Sequence, residues 1–229
     1  MRRVQLFDVN ETLLDLAALD PHFQRIFGDP TARVTWFSQM ITSALVATVT
    51  GAYAPFGAHA MAALEMTATQ AGVELAEDDK AAVAAQLRRL PAHPEVAGAL
   101  ERLGAGGLRL AALTNSTERV ARAQLEYAGL LEAFELVLSA DMVGRLKPAP
   151  EPYRMAAERL GVAVGRVRLV AAHGWDVAGA ARAGCATAFV ARPGKVLDPL
   201  VERPEIIGAN LTEVAQAILA VEGGDDGRP

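Results

Sequence analysis

From residue 108 onward, short apolar runs alternate with stretches of helical spacing, and this alternation leaves few architectures open. Residues 108–113, 134–138, 167–172 and 187–190 read as strands, whereas 117–127, 152–160, 177–183 and 211–221 read as helices. A helix over 95–103, stopped by the glycine-rich stretch 104–107, leads into the series. One further apolar run lies near the start of the chain, at Val4, Gln5, Leu6 and Phe7, and ends in Asp8. Strands separated by helices pair in parallel through right-handed crossovers, which predicts an α/β fold with a doubly wound parallel sheet. Between residues 16 and 90 there is no strand-like run. Helical stretches at 16–27, 34–49, 56–72 and 77–90 make this segment an expected all-helical insertion.

Composition narrows the function classes. The 229 residues suit one large domain, or a main domain carrying a smaller insert, and 52% hydrophobic residues supply a mostly aliphatic core. A net charge of −5 offers no basic surface for nucleic acid or an anionic membrane. Asp8, Glu11 and Asp15 interrupt any leader-like N-terminal pattern, and the apolar stretch 41–49 is too short to span a bilayer. The single cysteine, Cys185, excludes an intramolecular disulfide and a cysteine-based zinc site. A soluble, cytoplasmic protein is the expectation.

In doubly wound sheets, ligands bind beyond the carboxyl ends of the strands, so the residues there are the candidate site. Asp8 ends the first run, and Thr114 and Asn115 end the second. Lys147 precedes Pro148 in the loop after the third, while His173, Trp175 and Asp176 follow the run 167–172. Each has an ordinary role when taken alone. Thr12 or Asp176 would cap a helix, Lys147 would be a solvated loop residue, and Trp175 would pack with its N–H bonded. Polar groups at successive strand ends, able to meet in one crevice, form the more specific pattern.

The order and spacing of these residues resemble the haloacid dehalogenase-superfamily hydrolases, and within them the type II (S)-2-haloacid dehalogenases. The resemblance covers nearly the whole chain, through Asp8 with Thr12, Thr114 with Asn115, Lys147 with Tyr153, and Trp175 with Asp176. It implies a Rossmann-like core of residues 1–15 and 91–222, a helical cap at 16–90, and a flexible tail at 223–229. It also implies that Asp8 is a nucleophile forming an aspartyl ester on a carbon next to a small carboxylate, with halide leaving. Thr12 and Thr114 would position its carboxylate, Lys147 would keep it ionised, and Asp176 would hold Lys147 and orient the hydrolytic water. Asn10, Trp36, Phe37, Asn115, Tyr153, His173 and Trp175 match positions near the substrate or leaving group. No cofactor is implied, and homodimerisation through the apolar cap helices is.

The chain departs from this pattern at informative places. The superfamily's phosphotransferases use an aspartate two residues after the nucleophile and a magnesium ion held by extra acidic residues. Here the first position is Asn10, and 171–176 contain one carboxylate, Asp176. Halide needs no proton to leave, so Asn10 suits a dehalogenase. It equally suits the L-azetidine-2-carboxylate hydrolases, whose strained ring ammonium leaves already protonated. A magnesium-dependent phosphatase ranks behind both. Phe37 stands where well-studied dehalogenases carry an arginine for halide or carboxylate, and a phenyl ring cannot replace a guanidinium in kind. Arg33 is a candidate substitute. Ala171 and His173 stand where serine and asparagine are more usual. These erased polar positions also admit a non-catalytic binding protein on the same fold.

Overall fold

The computed structural model describes residues 2–223. Six strands form one all-parallel sheet in the order β3-β2-β1-β4-β5-β6. They are β1 (Val4–Phe7), β2 (Leu110–Thr114), β3 (Leu136–Ser139), β4 (Val167–Ala171), β5 (Ala186–Val190) and β6 (Ile206–Gly208). Strand order reverses between β1 and β4, and at such a switch the crossovers diverge to opposite faces and leave a crevice at the carboxyl ends.

Period-two alternation of apolar residues serves both faces. Phe7, Leu110, Ala112, Val170 and Ala188 point to one side, against α5 (Val96–Ala105), α6 (Glu118–Tyr127) and α9 (Leu211–Gly223). Leu6, Ala111, Leu113, Leu169 and Phe189 point to the other, against α7 (Pro150–Arg159) and α8 (Gly174–Ala183). Arg168 interrupts the apolar run of β4 but is fully buried, and pairs with Glu222 and Glu205, both at 2.7 Å.

The segment between β1 and α5 contains only helices: α1 (Asp20–Phe27), α2 (Ala32–Thr50), α3 (Phe56–Ala71) and α4 (Glu77–Leu87). They form a helical cap. Its apolar residues Phe23, Trp36, Met40, Leu64 and Val83 belong to the same buried cluster as Phe7 and Val170 of the sheet.

Several boundaries differ from the sequence reading. The helix expected over 16–27 splits into a 3-10 turn (Leu16–Leu19), capped by Asp15, and α1, because Pro21 sits in the first turn of α1 and cannot continue a preceding helix. β6 escapes the pattern because three residues at a sheet edge carry no periodic signal. α8 begins at Gly174 rather than Val177, which places Trp175 and Asp176 in its first turn. Of the tail expected at 223–229, Gly223 closes α9 and the rest lies outside the described residues. No helix among the described residues is long and apolar enough to cross a membrane.

Candidate active site

Asp8 sits where the chain leaves β1, its N–H donating to Val170 O of β4 at 3.1 Å. Its carboxylate is buried, and each oxygen has assigned donors. Oδ1 accepts from Lys147 Nζ at 2.9 Å. Oδ2 accepts from Thr12 Oγ1 at 2.7 Å and from His173 Nδ1 at 3.1 Å. The Thr12 hydroxyl itself accepts from Ala172 N–H at 2.9 Å, so its one proton is committed to Asp8. Arg192, on the loop after β5, holds the Thr12 carbonyl through Nε and Nη2 at 3.0 and 2.7 Å.

Lys147 is fully enclosed and uses all three of its donors. They reach Asp8 Oδ1, Asp176 Oδ2 at 2.6 Å and Leu113 O at 3.0 Å. Tyr153 O–H donates to Asp176 Oδ1 at 2.5 Å. Gly179 of α8 makes this cluster possible, since a Cβ there would lie 2.6 Å from Pro148 O. Only a glycine lets α8 press Asp176 against the loop that carries Lys147.

These contacts set the charges. Burial alone would raise the Asp8 carboxyl, but Lys147, and then His173, hold it well below the usual carboxylate range. Burial also opposes the charge on Lys147, yet Asp176 and Asp8 raise its value. For Asp176, burial outweighs Lys147, and the charge of Asp8 adds to it, so its carboxyl lies above the ordinary value. Of the two carboxylates, Asp176 is therefore the more basic.

The second cluster centres on Glu11, which is not among the candidate site residues read from the sequence. Glu11 adopts φ 60°, a left-handed backbone that costs a non-glycine residue roughly 1–3 kcal/mol. Its carboxylate meets His173 Nε2 at 2.9 Å, Lys195 Nζ at 2.6 Å and Arg33 Nη1 at 3.9 Å. His173 thus bridges two carboxylates, and its ring lies between Phe37 at 5.5 Å and Trp175 at 5.1 Å, both stacked. Arg33 donates to Asp20 at 2.5 Å as well, and it lines neither the space beside Asp8 nor the cavity adjoining it.

Thr114, Asn115, Asn10 and Trp36 line the space beside Asp8 or the cavity adjoining it. The Thr114 hydroxyl accepts from Ser116 N–H at 3.1 Å and does not bind Asp8, although Thr114 shares the wall of its cavity. Asn115 pins the catalytic loop: its Oδ1 accepts from Lys147 N–H at 2.7 Å and its Nδ2 donates to Lys147 O at 3.2 Å. Asn10 donates to Ser116 Oγ at 3.4 Å and accepts from Gln124 at 3.2 Å. Trp36 is fully buried in the cap, donates to Ala60 O at 2.8 Å, and faces a neighbouring cavity rather than Asp8. The space beside Asp8 is about 10 Å³, enough for one water. Adjoining it across Asn10, Phe37 and Phe56 is an apolar cavity of about 320 Å³, lined also by Met40, Ala60 and Met61.

Residues 3–184 match the family model for haloacid dehalogenase-like hydrolases. The chain is similar to (S)-2-haloacid dehalogenase 2 of Pseudomonas sp. strain CBS-3, with 26% identity over 91% of this chain and 92% of that one. It is 30% identical to the (S)-2-haloacid dehalogenase of Xanthobacter autotrophicus, over 84% of this chain and 76% of that protein. A structure of L-2-haloacid dehalogenase from X. autotrophicus with chloropropionic acid covalently bound superposes with a TM-score of 0.88. The two are 25% identical, and 95% of this chain and 98% of that one are covered.

Proposed function

Because the chain belongs to the haloacid dehalogenase-like hydrolases, we propose that it hydrolyses the carbon–halogen bond at C2 of a small carboxylic acid through an ester on Asp8. The observation that carries this reading is an ionised, buried Asp8 held by Lys147, Thr12 and His173, with the amide of Asn10 where phosphoryl transfer would need an acid. In the first step an Asp8 oxygen donates its electron pair to C2, and the C2–halogen pair departs as halide. In the second, water adds to Asp8 Cγ while Asp176 takes one of its protons. Collapse breaks the bond between Cγ and the substrate oxygen. The departing alkoxide takes a proton from Lys147, which Asp176 restores, and the remaining proton goes to solvent as Asp8 re-ionises.

A divalent cation does not fit these residues. Both oxygens of Asp8 and of Asp176 are held by protein donors, two of them the cations Lys147 and His173, and Asn10 is neutral. The 320 Å³ cavity supports a substrate whose C2 substituent is apolar and longer than a methyl group. A homodimer is part of the proposal, supported by exposed Val34, Val46 and Val49 on α2, and light scattering reads it.

Halide release from 2-chloro and 2-bromo acids in EDTA, lost in Asp8→Asn, is the expected outcome. Magnesium-dependent phosphate release without halide release refutes it. Asn10 also supports ring opening of azetidine-2-carboxylate, whose ammonium leaves without an acid, so that compound belongs in the same panel.

A further inference from the structure

The two oxygens of Asp8 are not equivalent. A carboxylate oxygen offers about two lone-pair sites. On Oδ2 both are filled, by Thr12 and His173, whereas Oδ1 carries Lys147 alone and keeps one free. Oδ1 is thus the oxygen able to attack carbon, and Oδ2 becomes the carbonyl oxygen of the ester. When water adds to Cγ, the carbonyl π pair moves onto Oδ2, and the negative charge develops where two donors already point.

Protonation follows from the geometry of the imidazole. Asp8 and Glu11 both accept, one at each ring nitrogen, and a neutral imidazole has a single N–H. Both nitrogens therefore carry protons. The Glu11 oxygen that meets Nε2 also accepts from Lys195 Nζ, which lies 5.3 Å over the Phe37 ring. Phe37 and Trp175 stack on the imidazole, which is buried between its two carboxylates.

We propose that His173 is a catalytic residue of the ester-hydrolysis half-reaction, forming with Thr12 the oxyanion pocket around Asp8 Oδ2, and that Glu11 is its positioning residue. This rests on the aspartyl-ester reading above. It gives Phe37 a function in a site without the usual arginine: the positive charge beside the nucleophile comes from the core, and the cap supplies the ring that covers it. It also accounts for a glutamate kept in a left-handed conformation, since only from that turn does its carboxylate meet Nε2.

The test follows halide and covalent adduct together, with (S)-2-chloropropionate as the probe. Wild type should release halide without a burst and show little adduct by intact mass, because the ester is hydrolysed as fast as it forms. His173→Phe preserves the stacked ring but removes both donors. It should slow turnover by roughly 10²–10³-fold, the cost typical of a lost oxyanion donor, and so show a halide burst of about one equivalent per site with accumulation of the Asp8 adduct. Glu11→Gln, which retains His173, should slow turnover by about 10-fold and move the alkaline limb of the kcat profile down, with KM unchanged. No burst and no adduct in folded His173→Phe, or unchanged turnover, overturns the proposal while leaving the ester reading intact. Absence of oxygen-18 in Asp8 after a single turnover of wild type in labelled water refutes the ester reading and the oxyanion role with it. Should His173→Phe not fold, the nitrogen-15 spectrum of wild-type His173 decides: both ring nitrogens protonated at pH 7.5 support the proposal, and a neutral ring overturns it.

Discussion

Raising the pH should withdraw stability through a single side chain, and the amount can be worked from the site. Burial disfavours the charged form of His173, but hydrogen bonds and charges from Asp8 and Glu11 outweigh it and lift its value from 6.5 to about 9. A group raised on folding contributes fully below its unfolded value and loses that contribution as pH climbs through the folded one. The gap converts to about 3 kcal/mol, present at pH 6 and gone by roughly pH 10. The surroundings leave that window clear. Asp8 and Glu11 are both lowered, Lys147 is raised, and burial pushes the Cys185 thiol up to about 12. The assay is urea unfolding of wild type and His173→Gln between pH 6 and 10, with the variant subtracting every other titration. Wild type should lose about 3 kcal/mol more than the variant, or roughly 10 °C in Tm for a chain of this size. Curves that stay parallel within about 0.5 kcal/mol would show that His173 carries no such charge and refute the bridged imidazolium.

Three further outcomes probe the surrounding architecture. Lys147→Met leaves Asp8 and Asp176 buried without their shared cation, and should cost about 3–5 kcal/mol in urea unfolding and abolish halide release. Gly179→Ala drives a methyl group into Pro148 and should cost about 1–3 kcal/mol by the same unfolding assay while lowering kcat, because α8 and the Lys147 loop must part. Ala60→Leu fills the apolar cavity and should shift kcat/KM from longer 2-halo acids toward 2-chloropropionate by about 10-fold or more.

The sheet was legible because five of its strands are apolar runs bracketed by helical stretches, and such runs have no other stable home in a chain of this composition. β6 was not, since three residues show no period. Asp8 was readable as a polar strand end. Lys147, in contrast, resembles any loop lysine until the fold brings it to Asp176 across α8, so it was visible only through family likeness. Glu11, Lys195 and Arg192 left no sequence signal: each acts through a partner more than 150 residues away. Thr114 and Asn115 were located correctly, but the direction of a hydroxyl or an amide depends on neighbours that no local pattern specifies. Ser116 N–H claims the first and the Lys147 backbone the second.

The aromatic sandwich at the site has an optical consequence. The chain has two tryptophans, and one of them, Trp175, stacks on the His173 ring 5.1 Å away. An excited indole readily passes an electron to a protonated imidazole, so emission from Trp175 is quenched while His173 keeps its proton and its place. Trp36, bonded to Ala60 O in the cap interior, supplies a steady background. Phe37 belongs to α2 of the cap, whereas His173 and Trp175 both belong to the core, so fluorophore and quencher stay together. Emission from Trp175 therefore reads the protonation of His173 in stopped flow, without a label.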